Sequence, residues 1–421
     1  MVTTQASVPV MAEILAGHEP QLRALLENAG QDPANNSLVP LARLPNVHFA
    51  RFFILDAARD LDGRPLTPRL VFLADIDGPA DAFLMMLCAL AGDGLDTIYL
   101  HCRDYPGRAG LLDFMRAHAL PVAARYVNTI GRTVQQIHQE AALRDAIEGF
   151  LNRTNGQWVG ASPRRVRAAI QEFVEQQPDL AFARRPVPPP EPAYVLGEKL
   201  HFFLVAAAGI VLFPAVLAGL PLWLFLLRRH ETTDVAADIW PTNEWRQTLA
   251  AQEDHGVQNP FTSAGYIKPG PFRRYTGIFI QWGTNFLTRH IFNHANLIGV
   301  KTIHFAEWVF IDDKKRLFFT SNYDGSLENY MDDFVDKIAW ALNTSFSHGV
   351  DYPKTNWLVL DGAHDEQVFK RFNLMHQLVA PFWYAAYQGM TALNIDNNAE
   401  IRAGLYGAMD DAAARAWLRR F

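Results

Sequence analysis

Cysteine is scarce in this sequence, with only Cys88 and Cys102 among 421 residues. Two cysteines cannot form the disulfide framework of a small secreted domain, and their separation does not have metal-ligand spacing. A chain of a reducing compartment is therefore expected. Hydrophobic residues make up 49% of the sequence, which is enough for a sizeable core in two or three domains.

Positive charge and the common catalytic signatures are also missing. The formal net charge is −6 at pH 7, so nucleic acid is not expected as a partner. No G-x-S-x-G, Walker or Rossmann fingerprint occurs, which disfavours the common hydrolase, nucleotide and dehydrogenase classes. The N-terminal residues have no basic stretch before an apolar run, so no signal peptide is expected. Their leucine and alanine spacing predicts an amphipathic helical segment over 1–40.

What the sequence does contain is one long apolar run. No residue between Phe202 and Leu227 carries a charge, and about 20 such residues suffice to span the hydrocarbon core. Pro214 and Pro221 interrupt the run, and Arg228 follows it. A membrane segment over 201–230 is predicted, with a buried core helix as the alternative. A kinked, re-entrant or monotopic arrangement with both ends at the cytoplasmic face is expected, because Arg228 and Arg229 favour the cytoplasm and the parts of the chain on either side of the run are expected to pack together.

Two parts of the chain resemble each other. The stretch VHFARFFILD at 47–56 parallels IHFAEWVFID at 303–312, and Asp77-Gly78 parallels Asp324-Gly325. Further along, identical residues recur at one constant spacing: Phe114/Phe372, His118/His376, Tyr126/Tyr384, Gly131/Gly389, Thr133/Thr391, Ile137/Ile395 and Arg144/Arg402. An internal duplication is the simplest explanation.

Each copy is predicted to contain two strands, then helices alternating with further strands. In the second copy we expect strands at 303–311, 316–322, 357–360 and 382–387. Ser326 and Asp365 are expected to cap helices, and a last helix is expected to begin near Ala399 after Asn397 or Asn398.

This order of elements fits antiparallel sheets with helices on one face. The predicted fold class is therefore α+β, with tandem ferredoxin-like repeats at 41–160 and 301–421 that form a pseudo-dimeric α/β barrel. A helix and a proline-rich linker at 161–200, the membrane segment and a connector at 231–300 separate the repeats.

The runs IHFAEWVFIDDKKRLFFTSNYDGSLENYMDDF and WYAAYQGMTALNIDNNAEIRAGL resemble bacterial membrane-associated proteins of unassigned function. More distantly, the architecture is similar to the dimeric α/β-barrel superfamily of dye-decolourising peroxidases and chlorite dismutases. That resemblance implies haem b, a histidine ligand, and an aspartate of a G-x-x-D-G motif beside a distal arginine. Here the motif is Ser321-Asn322-Tyr323-Asp324-Gly325, with serine in place of the first glycine.

The resemblance makes His376 the candidate haem ligand. Candidate catalytic residues are Asp324 and Arg402, which the resemblance implies. Asn322, Asn398 and Tyr384 are added because the second copy is the more polar one at matched positions. The alternative for Asp324 is a turn residue, for His376 a core histidine, and for Arg402 an ion pair within the fold. His290 and His294 could face one metal on a helix, but no third ligand is evident, so no metal site is predicted.

Three functions remain open. The first is a membrane-attached oxidoreductase, haem-dependent and peroxidase-like, that acts on an apolar or lipid substrate. The second is a haem-free barrel that binds or modifies a lipophilic ligand. The third is a membrane-bound scaffold. Membrane lipid and a lipophilic small molecule are the expected partners.

Overall fold

Two four-stranded antiparallel sheets lie at the centre of the fold and face each other. The computed structural model describes residues 4–236, 240–251, 253–254 and 256–421. The eight long strands are β1 (Gln5–Glu13), β2 (Val47–Leu55), β3 (Arg69–Asp77), β4 (Ala124–Val127), β5 (Gln258–Tyr266), β6 (Ile303–Ile311), β7 (Arg316–Asp324) and β8 (Phe382–Ala385). Two-residue ladders pair Ala58–Arg59 with Pro65–Leu66 and Thr355–Asn356 with Leu360–Asp361.

Each sheet takes its fourth strand from the other half of the chain. The first sheet has the order β1-β3-β2-β8, and the second has the order β4-β6-β7-β5. Strand β8 therefore pairs with β2, and β4 pairs with β6. Had each half closed on itself, its fourth strand would have completed its own sheet. The exchange makes each half incomplete without the other.

Twelve helices surround the sheets within the described residues: α1 (Glu19–Gly30), α2 (Ala80–Tyr99), α3 (Leu111–Ala117), α4 (Val134–Arg153), α5 (Pro163–Gln176), α6 (Pro192–Thr233), α7 (Asn243–Ala250), α8 (Pro271–His290), α9 (Leu327–Phe346), α10 (Glu366–His376), α11 (Ala392–Ala403) and α12 (Asp411–Leu418). Helices α1, α2 and α3 pack on the outer face of the first sheet, and α9 and α10 pack on the second. The coarse prediction of a mixed α/β chain with antiparallel sheets and one long apolar helix is confirmed.

Alternation along the strands separates an outer from an inner face. On β2, Ala50, Phe52 and Ile54 point to the helices, while Phe53 and Leu55 meet the second sheet. This period of two is the ordinary consequence of strand geometry. The hydrophobic core therefore has one layer outside each sheet and another between the sheets. A further cluster lies among helices α4, α5, α11 and α12.

The expected helical segment over 1–40 is wrong in its first part. Strand β1 pairs with β3 along its whole length, and only α1 is helical in the manner predicted. The alternation of Val8, Val10 and Ala12, all buried, is the strand signal that the leucine pattern after it obscured. Likewise, the stretch 231–300 is more than a connector, because β5 and α8 complete the second half.

Two further local predictions fail, and two are confirmed. The predicted buried strand at 357–360 is absent: Trp357 is exposed and lies in a tight turn. The last predicted helix begins at Ala392 rather than near Ala399, because Thr391 caps it with a capping box. Ser326 and Asp365 cap α9 and α10 as predicted.

Helix α6 carries the apolar run and is uncovered along it. The apolar part of α6 is 0% buried. Helix α2 is also long and apolar enough to cross a membrane, but it is a mostly buried core helix. Residues 203–222 touch little else, while Leu227 and Glu231 at its C-terminal end are buried. Glu231 accepts hydrogen bonds from the backbone N–H groups of Trp357 and Leu358, which anchors this end to the second half.

Both ends of the apolar run are held by α8. Phe202 stacks on Phe286, and Trp223 donates from its indole nitrogen to Thr276. A straight helix rises about 1.5 Å per residue, so it would separate Phe202 from Trp223 by roughly 30 Å. Phe202 also packs on His290, and Trp223 packs on Phe272; these two residues of α8 are about 27 Å apart by the same measure. The long helix therefore runs beside α8 and remains tied to one half of the protein at both ends.

Replacing residues 203–222 with a flexible Gly/Ser linker of equal length should leave a folded, detergent-free protein. The free energy of unfolding should change by less than about 1 kcal/mol, because the removed side chains make few contacts and loop closure varies slowly with length. Urea unfolding followed by circular dichroism measures this. If the linker variant is unfolded, the apolar run belongs to the core of the protein.

Candidate functional site

Asp324 is a partner of a buried histidine and a helix cap. Its carboxylate lies 2.7 Å from Nε2 of His304 and accepts the N–H of Ala392 at the start of α11. The first half repeats this arrangement: Asp77 lies 2.9 Å from Nε2 of His48 and accepts the N–H of Val134. Negative charge at a helix N-terminus is favourable. Asp324 lies at the N-terminus of α11, and Asp77 lies at the N-terminus of α4. The turn-like Asp-Gly pairs therefore have a structural role beyond the turn.

The two histidines were not among the predicted site residues. Each lies in a β-bulge, between Val47 and Phe49 in one half and between Ile303 and Phe305 in the other. A bulge re-aims a side chain, and here it turns the histidine inward toward its aspartate. The signal was present in the sequence as the repeated V/I-H-F-A, but its pairing with the Asp-Gly motif depends on strand register.

Asn322 lies between the two sheets. Its side-chain oxygen accepts from Arg51 and from the indole of Trp383, and its nitrogen donates to Asp75 at 3.3 Å. Arg51, Asp75 and Glu307 are each at most 1% exposed. Burial and the neighbouring Asp75 raise the pKa of Glu307 well above its ordinary value, which favours its protonated form. Asn322 is thus part of a buried network that joins the sheets.

The other predicted residues lie elsewhere. Tyr384 packs in the core of the first half, because β8 belongs to the first sheet. Arg402 lies 3.6 Å from Glu140 across the α4–α11 contact and donates to the carbonyl of Phe182. Asn398 is buried on the same helix as Arg402. The six predicted site residues are therefore not brought together, and their proposed joint role in one pocket has no geometric basis.

His376 alone lines a sizeable cavity. This cavity has a volume of about 180 Å³ and lies between the outer face of the second sheet and helices α8, α9 and α10. Its walls are mostly apolar and include Phe261, Phe319, Phe334 and Ile338. A buried cavity of comparable size, about 150 Å³, accommodates benzene in an engineered protein, so this space can hold part of an apolar molecule.

Smaller and more polar side chains at matched positions open this cavity. In the first half the corresponding layer is a continuous buried core. The first-half and second-half residues at four such positions are Val10/Ser263, Ala12/Gly265, Ile98/Ser345 and Met115/Asn373. Helix α8 adds to the difference, since it turns Gly277, Gln281 and Thr284 to the cavity where α1 buries Leu22 and Leu26.

Four buried polar atoms of the lining have no hydrogen-bond partner within the described residues: Oε1 of Gln281, Nε1 of Trp308, Nε2 of His348 and Nε2 of His376. Leaving such an atom unpaired costs about 1–3 kcal/mol. These four atoms are fully buried, so they do not face the open space of the cavity.

The partners of the two histidines determine which nitrogen carries the proton. Arg273 can only donate, and it lies 3.1 Å from Nδ1 of His348, so Nε2 of the neutral ring carries the hydrogen. Burial, followed by the charges of Arg273 and Lys268, lowers the pKa of His348 to about 3. The ring of His348 is therefore neutral, with its hydrogen on Nε2, which is buried beside the cavity.

His376 offers the opposite chemistry. The carbonyl of Ala264 can only accept, and it lies 3.2 Å from Nδ1, so Nε2 carries a lone pair. Burial lowers the pKa of His376, which favours the neutral ring. Asp351 is 3.7 Å from Nε2, beyond hydrogen-bond distance.

A haem group does not fit these residues, although His376 could ligate a metal. Its free Nε2 and the carbonyl behind Nδ1 are the usual arrangement of a ligating histidine. However, Asp324 pairs with His304 and Arg402 lies beside Glu140, both away from this cavity. The described lining also contains no arginine or lysine for the two haem propionates.

In comparisons with protein-family models, curated proteins and solved structures, no match to this chain was found.

Asp77→Asn and Asp324→Asn should destabilise the protein to a similar extent. Each removes the charge that a histidine and a helix N-terminus share, at a cost of about 1.5–3 kcal/mol in the free energy of unfolding. Urea titration of the two variants measures the effect. If Asp324→Asn leaves stability unchanged while Asp77→Asn does not, the second pair has a function other than holding the fold.

Proposed function

We propose that this is a membrane-attached protein that binds an apolar, lipid-like ligand in the cavity of its second half. The observation that carries the proposal is the position of α8. On one side α8 lines the cavity, and at both ends it contacts the apolar helix α6. The ligand site and the membrane segment are therefore neighbours.

The outward face of α8 supports contact with a bilayer. Tyr275, Phe279 and Trp282 are 68%, 67% and 50% exposed and lie on one side of the helix. Together with the uncovered residues of α6, they form a contiguous apolar surface of the kind that marks membrane or partner contact. Aromatic rings are favoured at the membrane–water interface.

The rim of the cavity lies on the flank of α8, about a third of a turn around the helix from this aromatic face. Leu287 of α8 and Trp340 of α9 both line the cavity, and they are 40% and 46% exposed. An apolar ligand could pass between them from the bilayer without crossing water. This route connects the source of the ligand to the site.

The arrangement of α6 supports a monotopic or re-entrant topology at the cytoplasmic face. Both ends of its apolar run contact α8, so a straight crossing with the two halves on opposite sides is disfavoured. Arg228 and Arg229 favour the cytoplasm for the C-terminal end, although Arg228 also pairs with Glu231.

Tandem ferredoxin-like repeats in a pseudo-dimeric barrel remain our proposal for the fold family. The matched order of strands and helices in the two halves supports it. The exchanged fourth strand supports a pairing of halves like that of two subunits, in which neither is complete alone.

The haem-dependent oxidoreductase is the weaker proposal. It requires His376, Asp324 and Arg402 in one pocket, and these residues lie in three places. A Soret band that His376→Ala abolishes and His118→Ala preserves would restore it. The third possibility, a scaffold, leaves the cavity without a role.

Filling the cavity should remove the bound ligand. Ala341→Phe on α9 and Thr284→Trp on α8 each place a large ring in the lining from opposite walls. We expect at least a tenfold loss of apolar molecules extracted per mole of protein, measured by mass spectrometry. The matched control is Asp336→Phe, because residue 336 is exposed on the same helix as Ala341.

Equal recovery of apolar molecules from wild type, both filled variants and the control would contradict a ligand in this cavity. Two filled variants are needed because either one alone could lose ligand through misfolding. Circular dichroism of each variant establishes that the fold is retained.

A further inference from the structure

We propose that the hairpin at residues 354–361 is a second membrane contact, which lies on a bilayer surface that contains anionic phospholipid. The inference rests on the proposed membrane attachment and adds a contact surface that is separate from α6 and α8. It follows from the backbone of the hairpin, the apolar side chains at its tip and the basic groups beside it.

The tip of this hairpin carries bulky side chains where its backbone favours small ones. Residues 357–359 form the turn between the two short strands. Trp357 and Leu358 have φ values of 54° and 69°, which lie in the left-handed region. That region is unfavourable for side chains with a Cβ and is ordinarily occupied by glycine or asparagine. The fold alone would therefore be served better by smaller residues at these two positions.

The same hairpin leaves apolar side chains exposed. Trp357 is 49% exposed and Leu360 is 52% exposed. Backbone strain and apolar exposure both oppose folding, and strain of this kind is concentrated at functional contacts. An indole ring at the protein surface is favoured at the membrane–water interface. The two side chains therefore fit a contact outside the fold.

The hairpin is fixed to the end of the membrane helix. The buried carboxylate of Glu231 accepts from the hydroxyl of Thr355 at 3.0 Å, from the N–H of Trp357 at 3.0 Å and from the N–H of Leu358 at 2.7 Å. Glu231 lies about 6 Å along the helix axis from Leu227, the last residue of the apolar run. Since the proposed function places this run in the bilayer, the hairpin lies at the level of the lipid headgroups.

Basic side chains surround the apolar tip. The guanidinium of Arg228 lies over the ring of Trp357, 5.2 Å from its centroid. Arg229 and Lys354 are exposed and have no acidic partner among the described residues, and Asp361 is the exposed acid of the hairpin. Basic groups beside a membrane attract anionic headgroups. A tryptophan with basic neighbours thus matches the surface of an anionic bilayer.

The test measures quenching of a fluorescent NBD label by lipids that carry a quencher at headgroup depth. Full-length protein in proteoliposomes is labelled through a cysteine at position 360 of the hairpin or at position 279 of α8, which reports attachment. The matched control is position 61, because Leu61 is 50% exposed in the corresponding turn of the first half and lies between Asp60 and Asp62. Both native cysteines are buried, so the label reacts at the engineered site.

We expect at least about twofold quenching at positions 360 and 279 and none at position 61. Quenching at 360 should increase when phosphatidylglycerol replaces part of the phosphatidylcholine. An unquenched label at 360 beside a quenched label at 279 would overturn the hairpin contact and leave membrane attachment intact. Equal quenching at 360 in the two lipid mixtures would overturn the anionic preference. If the label at 279 is also unquenched, the proposed attachment itself fails.

The double variant Trp357→Asn/Leu358→Gly separates membrane contact from folding. Both new residues accept the left-handed backbone, so the urea midpoint in detergent should be at least that of the wild type. Quenching at 360 should nevertheless fall to the level at 61. A lower urea midpoint would show that Trp357 and Leu358 serve the fold, and unchanged quenching would show that they do not make the contact. Either result would overturn the inference.

Discussion

The exchange of one strand between the two sheets is the constraint on which the rest of the structure depends. Because β4 and β8 each complete the sheet of the other half, neither half can bury its strand edge alone. The helices that follow these strands, α4 and α11, then pack on each other. Between the sheets, Arg51 and Asn322 connect the halves through buried hydrogen bonds. Breaking such buried polar contacts is costly, so the pairing of the halves is specific.

This pairing lets the two halves diverge in their outer layers. The first half fills the space outside its sheet with Val10, Ile98 and Met115, as a core requires. The second half has smaller and more polar side chains at the matched positions, and the resulting cavity lowers its stability. The packed core of the first half and the shared layer between the sheets stabilise the fold. Loss of packing in one half is tolerable where it serves a ligand.

Sequence patterns were sufficient for what is local. The strands at 303–311 and 316–322, the caps Ser326 and Asp365, and the uncovered apolar run all follow from spacing and residue type. Strand exchange could not be predicted, because β8 pairs with β2 across more than three hundred residues. The grouping of Asp324, Arg402 and His376 failed for the same reason. Likewise, Tyr384 was assigned to the second copy's site although its strand belongs to the first sheet. The cavity follows from small volume differences that alternation does not reveal.

Helix α8 forms one wall of the cavity, and in the proposed arrangement its outer side faces the bilayer. Nitroxide labels at positions 279 and 287 of α8, and at the exposed Leu90 of α2 as control, test it in proteoliposomes. Electron paramagnetic resonance then compares collisions with oxygen, which concentrates in lipid, and with a water-soluble nickel chelate. We predict that the labels at 279 and 287 favour oxygen and that the label at 90 favours the chelate. If the labels at 279 and 287 favour the chelate as strongly as the label at 90 does, then α8 does not face the bilayer.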